Sequence, residues 1–168
     1  MNILYTATQI ASRVSAMGNA IAEYYRGKEL TAIILMNGGI CFGADLLRAI
    51  NIPLQVDSMS VSSYSRHQST GVLNFRSTLK LDPAGRHLLI IDEVLDSGIT
   101  LKRVCEQLSQ SNAASLRTCV MIEKAISRPD GIEHADWVGF VSPDRYLVGY
   151  GLDSDERYRN LPYIATLD

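Results

Sequence analysis

The chain has 168 residues, of which 46% are hydrophobic and 20% charged, a composition typical of one ordinary globular domain and unlike that of a disordered chain. Its 16 lysines and arginines against 18 aspartates and glutamates give a net charge of −2. No basic run is longer than the pair Lys102-Arg103. Because nucleic-acid binding needs a concentrated positive surface, we expect no nucleic-acid partner.

The cysteines and the first residues indicate a reducing compartment. Cys41, Cys105 and Cys119 are odd in number and lack metal-ligand spacing, so we interpret them as reduced thiols. The N-terminal residues form neither the basic nor the apolar part of a secretory signal, and no apolar stretch approaches the roughly 18 residues of a membrane span. We therefore expect a cytoplasmic protein with no membrane partner.

Hydrophobic spacing in the first half of the chain predicts helices that alternate with strands. The pattern Thr6-x-x-Gln9 is a capping box before an amphipathic helix, which should end near Gly27. A long polar loop inside a compact domain is usually functional or mobile. The further predictions are a strand over 32–36, a glycine turn over 37–39, a helix over 42–50, a strand over 54–56, a polar loop over 58–71 and the return arm of a ribbon over 72–78.

The second half of the chain predicts a β-turn-α unit followed by three more strands. Strands that alternate with helices favour a parallel sheet with right-handed crossovers. We therefore expect an α/β fold, a single domain over residues 1–168 with a central, mainly parallel sheet flanked by helices. The predicted elements are a strand over 88–91, an acidic turn over 92–98, a helix over 100–108 and strands over 119–122, 137–140 and 147–150.

The acidic turn is the strongest candidate for a binding site. Ser97, Gly98 and Thr100 begin a helix there, where free N–H groups and the helix dipole attract a phosphate. Three carboxylates in the same turn would repel a bare phosphate unless they bind sugar hydroxyls or a divalent cation offsets their charge. The turn therefore predicts a phosphorylated sugar with Mg²⁺. The alternative is a capped helix with solvated acids.

Four segments resemble hypoxanthine/guanine phosphoribosyltransferases and occur in that family's order. Residues 90–101, IIDEVLDSGITL, are similar to the signature with which type I phosphoribosyltransferases bind 5-phosphoribosyl 1-pyrophosphate (PRPP). The other segments lie within 37–47, 62–71 and 148–164. The resemblance implies purine salvage, in which hypoxanthine or guanine and PRPP give IMP or GMP and pyrophosphate, with Mg²⁺ as cofactor. It also implies a small hood formed by the N- and C-terminal segments and a mobile lid over 58–71.

The resemblance also assigns roles by position. Asp96 would accept or donate the proton at purine N7, and Asp153 would hold Mg²⁺, with Asp92 and Glu93 near a second ion through water or the ribose. Ser63 and Tyr64 would close over PRPP. The ribose and 5′-phosphate would be bound by Asp92, Glu93, Asp96, Ser97, Gly98, Ile99 and Thr100, the purine by Lys124, Tyr146, Leu147 and Asp153, and the pyrophosphate by Asn37, Gly38 and Arg159.

Some residues depart from the family's pattern. Asn37 stands where some relatives have lysine, which lowers the positive charge at the pyrophosphate pocket, and the peptide Asn37-Gly38 is a candidate for a non-proline cis bond. The order Asp92-Glu93 is the reverse of the commoner one. The alternatives are a phosphoribosyltransferase for xanthine or uracil, and a non-catalytic PRPP sensor that binds RNA. By the same resemblance we expect a homodimer or homotetramer.

Overall fold

The structure, a computed structural model, describes residues 1–62, 74–75 and 78–167, which form the following elements. None of the described helices is long and apolar enough to cross a membrane. In chain order the elements are β1 (Asn2–Tyr5), α1 (Ala7–Tyr24), β2 (Leu30–Met36), α2 (Ile40–Ala49), β3 (Leu54–Ser62), β4 (Asn74–Phe75), β5 (His87–Leu95), α3 (Ile99–Ser109), β6 (Ser115–Lys124), β7 (Trp137–Ser142), β8 (Leu147–Val148) and β9 (Ile164–Thr166).

The central sheet has the strand order β4-β3-β2-β5-β6-β7. The strands from β3 to β7 in this order pair in parallel, and β4 pairs antiparallel with β3. The predicted α/β fold with a central, mainly parallel sheet is thus confirmed. Parallel neighbours need crossover connections, and their carboxyl ends all meet at one edge of the sheet.

The strand β5 lies between two hydrophobic cores because its side chains alternate between the faces of the sheet. Leu89 and Ile91 pack on the side of α1 and α2. Leu88 and Ile90 pack on the side of α3. A continuous apolar run is typical of a strand that is buried on both faces. This double burial fixes the end of β5, which carries the acidic residues, relative to its neighbours.

The first helix begins with the predicted capping box. The Thr6 hydroxyl accepts a hydrogen bond from the Gln9 main-chain N–H at 3.3 Å, and the Gln9 side chain accepts one from the Thr6 N–H at 2.9 Å. These bonds satisfy donors that the first helical turn would otherwise leave unpaired. The helix ends at Tyr24, and Gly27 follows with a φ of +73°.

A second sheet joins the two ends of the chain. Its strand order is β1-β9-β8, with antiparallel neighbours. We call this sheet and the segment between β8 and β9 the hood. Leu147 and Ile164 of the hood belong to the same core as α1 and α2. The hood therefore shares a hydrophobic core with these two helices.

Several strands differ in length from the sequence prediction. The expected loop over 58–71 begins later, because β3 continues to Ser62 and pairs with β2 up to Met36↔Ser60. The expected acidic turn over 92–98 is also shorter: β5 continues through Asp92 and Glu93 to Leu95, which pairs with Glu123 of β6. Pairing with β6 extends β5 past its apolar run, whereas pairing with β2 ends at Ile34↔Ile91. The last predicted strand, 147–150, is limited to β8.

The edge strand β7 is covered by side chains from α1 and β1. Arg13 donates hydrogen bonds from Nε to the Gly139 carbonyl and from Nη2 to the Val138 carbonyl, both at 2.7 Å. The Tyr5 hydroxyl donates to the Val141 carbonyl at 3.1 Å, and the Tyr5 ring stacks on Phe140 with 4.0 Å between the ring centroids.

Candidate active site

A cleft of about 900 Å³ opens where β2 and β5 end, next to the hood. In open parallel sheets, ligands bind outside the carboxyl ends of the strands. Most of the polar residues singled out in the sequence therefore share one space. The polar and glycine residues that line it are Asn37, Gly38, Ser60, Asp92, Glu93, Asp96, Ser97, Gly98, Thr100, Tyr146, Asp153, Asp155, Glu156 and Arg159.

The loop from Asp96 to Gly98 joins β5 to α3 on one side of the cleft. Gly98 adopts a left-handed conformation with φ +73°, and a Cβ atom there would lie 2.6 Å from the Ile132 main-chain oxygen. Only glycine fits this position without strain. Gly98 is the N-cap of α3 and provides no side-chain cap. The first turn of the helix therefore offers main-chain N–H donors to an anion.

Asp92 and Glu93 lie at the end of β5, on the floor of the cleft. One carboxylate oxygen of Asp92 accepts a hydrogen bond from the Glu93 N–H at 2.9 Å. Burial raises the pKa of both carboxyl groups, and the charge of Asp92 raises the pKa of Glu93 further. The pair is thus kept in a site that disfavours two negative charges unless donors or cations are bound. Solvated acids, the alternative considered above, do not describe this pair.

The Glu93 carboxylate lies directly against the turn that follows β2. A Cβ atom at Gly38 would be 1.9 Å from Glu93 Oε1. The structure has one cis peptide bond at this turn, between Met36 and Asn37. The expected cis bond at Asn37-Gly38 was therefore placed one residue too late. A side chain at position 38 would therefore displace the Glu93 carboxylate.

Lys124 connects the loop after β5 with the end of β6. It is the last residue of that strand, and its Nζ donates hydrogen bonds to Asp96 Oδ2 at 2.9 Å and to Asp144 Oδ1 at 3.3 Å. Burial of the ammonium group lowers its pKa, but the two carboxylates outweigh this effect and raise the pKa of Lys124 above its ordinary value. The side chain therefore remains a charged donor next to an acceptor.

Arg159 is held by the hood on the opposite side of the cleft. Its guanidinium group donates to the Gly151 carbonyl at 2.7 Å and forms ion pairs with Asp153 at 3.1 Å and Glu156 at 3.0 Å. Gly151 has a φ of +101°, and a Cβ atom there would lie 2.0 Å from the Gly38 carbonyl oxygen. The hood thus brings a paired arginine to the turn after β2.

Comparison with known proteins agrees with this geometry. The phosphoribosyl transferase domain family matches residues 2–155. The chain belongs to the phosphoribosyltransferase family. A hypoxanthine-guanine phosphoribosyltransferase of Mycobacterium avium is 42% identical to it over 99% of this chain and 85% of its own length.

Two further phosphoribosyltransferases extend the comparison. The hypoxanthine-guanine-xanthine phosphoribosyltransferase of Tritrichomonas foetus is 34% identical over 98% of this chain and 90% of its own length. The crystal structure of a hypoxanthine phosphoribosyltransferase from Staphylococcus aureus matches with a TM-score of 0.94 at 35% identity, covering 100% of this chain and 91% of that one. The resemblance drawn from the motifs is thus confirmed.

The structure brings together most, but not all, of the residues that the phosphoribosyltransferase motifs single out. Lys124 is beside the cleft through Asp96, and Tyr146 is 55% exposed with its hydroxyl donating to the Asp153 carbonyl at 3.2 Å. Plain core packing of Tyr146 is therefore excluded. Ile99 and Leu147 do not line the cleft. Ser63 and Tyr64 lie outside the described residues.

Sequence reasoning missed several residues of this phosphoribosyltransferase site. Val94 lines the cleft as an apolar wall, but its place in the strand β5 was read as part of a turn. Asp144 forms an ion pair with Lys124, and Arg128 donates a hydrogen bond to the main-chain carbonyl of Asp96. These two lie beyond the recognised motifs. Their contacts follow from the parallel pairing of β5, β6 and β7, which local sequence does not reveal.

Proposed function

We propose that this phosphoribosyltransferase transfers the phosphoribosyl group of PRPP to a 6-oxopurine, hypoxanthine or guanine, and releases pyrophosphate with IMP or GMP. The proposal depends on one observation. The ammonium group of Lys124 and the carboxylate of Asp96 lie 2.9 Å apart, where the loop from Asp96 to Gly98 begins. A 6-oxopurine presents O6 and N7 side by side on one edge. Lys124 would donate to O6 while Asp96 faces N7.

The loop after β5 and the acidic pair before it suit the phosphoribosyl end of PRPP. The main chain and hydroxyls of Ser97, Gly98, Ile99 and Thr100 would bind the 5′-phosphate, as helix N-termini bind anions. Ile99 would contribute through its main chain, since its side chain lies outside the cleft lining. Asp92 and Glu93 would accept hydrogen bonds from the ribose 2′- and 3′-hydroxyls. Burial raises their pKa values and so disfavours the ionised form. Hydrogen bonds from the ribose hydroxyls would offset this effect and stabilise the carboxylates.

The purine must lose one proton during the transfer. A free purine carries one N–H in its five-membered ring. When N9 bonds to ribose C1′, the C1′–O bond breaks and pyrophosphate leaves with the bonding electrons. Asp96 would accept the proton from N7, since a general base must lie within hydrogen-bond reach of the proton. Its side chain is 54% exposed and therefore reachable by a ligand.

Tyr146 and the hood would hold the rest of the base. The exposed Tyr146 ring borders the same cleft as Asp96, which suits stacking on a purine. Leu147 would contribute main-chain groups to the far edge of the base, together with the region of Asp153. Adenine carries an amino group at position 6, so it would place a donor against Lys124. A desolvated site strongly rejects a ligand that places one hydrogen-bond donor against another.

The leaving pyrophosphate would lie between the turn after β2 and the hood. Asn37 and Gly38 offer an amide side chain and a main chain without a side chain, and Arg159 offers a positive charge on the other side. A developing anion is stabilised best by donors that are already in place. The ion pair with Asp153 keeps the guanidinium group of Arg159 at the cleft.

The donor set of the cleft fits Mg²⁺. This ion prefers oxygen ligands, keeps several waters and binds through one or two carboxylates plus substrate phosphates. Among the described residues, no three acidic, histidine or cysteine side chains are grouped so that they could hold an ion by themselves. Asp153 would hold one ion, and Asp92 and Glu93 would adjoin a second. Bound Mg²⁺ would neutralise charge on the departing pyrophosphate.

The remaining features of the proposal follow from the family and the sequence. Residues 1–168 would act as one phosphoribosyltransferase domain, and Ser63 and Tyr64 would cover bound PRPP, because an oxocarbenium-like transition state has to be shielded from water. The protein would work in the cytoplasm as a homodimer or homotetramer. Its partners would be PRPP and the purine base.

Pyrophosphate release tests the proposal directly. The protein is incubated with PRPP, Mg²⁺ and, singly, hypoxanthine, guanine, xanthine, adenine or uracil. We expect turnover with hypoxanthine or guanine and only slow turnover with adenine. Turnover confined to xanthine or uracil would move the enzyme to another base. No turnover with any base, together with RNA binding that PRPP modulates, would instead support a PRPP-sensing regulator.

A further inference from the structure

Arg128 is a buried arginine behind the active-site loop, in the segment between β6 and β7. Its side chain belongs to a residue that is only 3% exposed. A guanidinium group has five N–H donors, and all of them are used. They donate to the main-chain carbonyls of Asp96 at 2.6 Å, Glu133 at 2.9 Å, Leu95 at 3.0 Å, Ile126 at 3.1 Å and Lys124.

Two of these acceptors belong to Asp96 and Lys124, the pair proposed to recognise the base, and a third belongs to Leu95, next to Asp96. Leu95 and Asp96 stand where β5 passes into its loop, and Lys124 ends β6. The ladder between the two strands runs as far as Leu95↔Glu123. Beyond that pair the strands have no common main-chain register. Arg128 therefore bridges the main chains at the point where the ladder stops.

The bond pattern shows what Arg128 holds. The carboxylate of Asp96 and the ammonium of Lys124 meet at 2.9 Å, and Arg128 binds the main-chain carbonyl of each of these residues. The aliphatic stem of Arg128 also lies close to Gly98 in the loop, because a Cβ atom added to Gly98 would be 3.2 Å from Arg128 Cδ. Ordinary packing would hold the stem alone. The guanidinium fork, in contrast, bonds two chain segments at once.

We propose that Arg128 is a positioning residue that fixes Asp96 and Lys124 at the spacing of purine N7 and O6, and so sets the preference for 6-oxopurines. The inference rests on the proposed function. Lysine cannot replace this arrangement, because an ammonium group has three donors and no planar fork. Arg128 touches no substrate in this account. A misplacement of about 1 Å in such a site can lower the rate roughly a hundredfold.

The test compares Arg128→Lys, Arg128→Met and a matched control, Lys102→Met. Lys102 also bonds the segment after β6, through the Asp130 carbonyl at 3.1 Å, but it does not touch either strand end. For each protein we would measure kcat and KM with hypoxanthine and with adenine, KM for PRPP, and Tm. Calorimetry would add the affinities for IMP and for ribose 5-phosphate, which has no base.

Arg128→Lys keeps the positive charge and most of the volume, so it is the variant expected to fold at ambient temperature. We expect it to lose about tenfold or more of kcat/KM for hypoxanthine, with a smaller change for adenine, and to lose affinity for IMP but little for ribose 5-phosphate. Lys102→Met should leave unchanged the ratio of kcat/KM for hypoxanthine to that for adenine. It should also leave unchanged the ratio of the affinities for IMP and ribose 5-phosphate. Arg128→Met should repeat the loss with a lower Tm.

Equal losses for hypoxanthine and adenine, or for IMP and ribose 5-phosphate, would overturn the proposal and reduce Arg128 to a general support of the loop. Failure of the proposed function has a different signature. In that case the unchanged protein gives no turnover with any base, and the two binding measurements still decide the role of Arg128.

Discussion

The ammonium nitrogen of Lys124 lies 2.9 Å from a carboxylate oxygen of Asp96, although Lys124 ends β6 and Asp96 begins the loop that follows β5. A donor and an acceptor at this separation match adjacent polar atoms on one edge of a heterocycle. The protein's own contacts assemble the pair. Preassembled donors and acceptors need little reorganisation during a reaction.

Replacing Asp96 by asparagine tests the proton transfer. The amide keeps the size and polarity of the side chain but cannot accept the N7 proton. We expect kcat with hypoxanthine to fall about 10²- to 10⁴-fold, the usual contribution of a general base, while KM for PRPP changes little. Ser97→Ala serves as the control, since it should weaken PRPP binding more than turnover. An unchanged kcat in Asp96→Asn would remove the proton-transfer role.

Replacing Lys124 by alanine tests base selection. The variant loses a charged hydrogen bond to O6, of about 1.5–3 kcal/mol, so kcat/KM for hypoxanthine should fall roughly 10- to 100-fold. Activity with adenine should change less, because adenine gains nothing from that donor. Steady-state kinetics with both bases gives the ratio. Lys28→Met, at the opposite end of the sheet, should leave the ratio as it is. Undiminished discrimination against adenine would contradict the assignment.

The acidic pair on β5 should make the protein less stable as the pH rises. The pKa values of Asp92 and Glu93 are raised in the folded chain, so this state holds protons that the unfolded chain, with ordinary pKa values, has released. Stability is then lost between the unfolded and the folded pKa. Glu93→Gln removes one of these charges, and at neutral pH we expect a higher Tm together with weaker PRPP binding.

Calorimetric unfolding from pH 4 to 8 measures this effect, with Glu106→Gln on the exposed side of α3 as the control. The control should follow the pH profile of the unchanged protein, whereas Glu93→Gln should flatten it. A Tm that falls in Glu93→Gln at neutral pH would show that the carboxylate stabilises the empty cleft.

In the proposed site, Glu156 should compete with pyrophosphate for Arg159. Their ion pair measures 3.0 Å, but the Glu156 side chain is 75% exposed, and exposed pairs are weak. Glu156→Gln should therefore lower KM for pyrophosphate in the reverse reaction with IMP by only about two- to fivefold. Arg159→Gln should raise the same KM. If Glu156→Gln also raised it, Glu156 would be holding Arg159 in its working position rather than competing for it.

Gly38→Ala tests the contact between the turn after β2 and the acidic pair. The new methyl group would overlap the Glu93 carboxylate, which lies 1.9 Å from the Cβ position. We expect a rise in KM for PRPP, since the Glu93 carboxylate would have to move away from the turn. Gly27→Ala is the control: its φ of +73° makes the substitution strained, but no atom lies within 4 Å of the new Cβ. It should lower Tm and leave KM unchanged.

Local chemistry explains which parts of the site were visible in the sequence. The loop of Asp96, Ser97 and Gly98 was predictable because a left-handed glycine at a helix start leaves a short, distinctive pattern. The capping box of Thr6 and Gln9 was predictable because its two polar residues stand at a fixed spacing before a helix.

Contacts between strand ends were not visible in this way. Arg128 lies 32 residues after Asp96 and Asp144 lies 20 residues after Lys124, and only the parallel register brings them together. The strand β5 was predicted too short, because its last residues are acidic and pairing with β6 outweighs their low strand preference.

The bonds from Arg13 and Tyr5 to the carbonyls of β7 bear on how the protein behaves at high concentration. An open sheet edge is a template on which another chain can add a strand, and repeated addition leads to aggregates. Here carbonyls of β7 already accept hydrogen bonds from a guanidinium group and a phenol, which leaves fewer acceptors for an intruding strand. The addition of a further strand at this edge is thereby disfavoured, without a charged residue inside β7 itself.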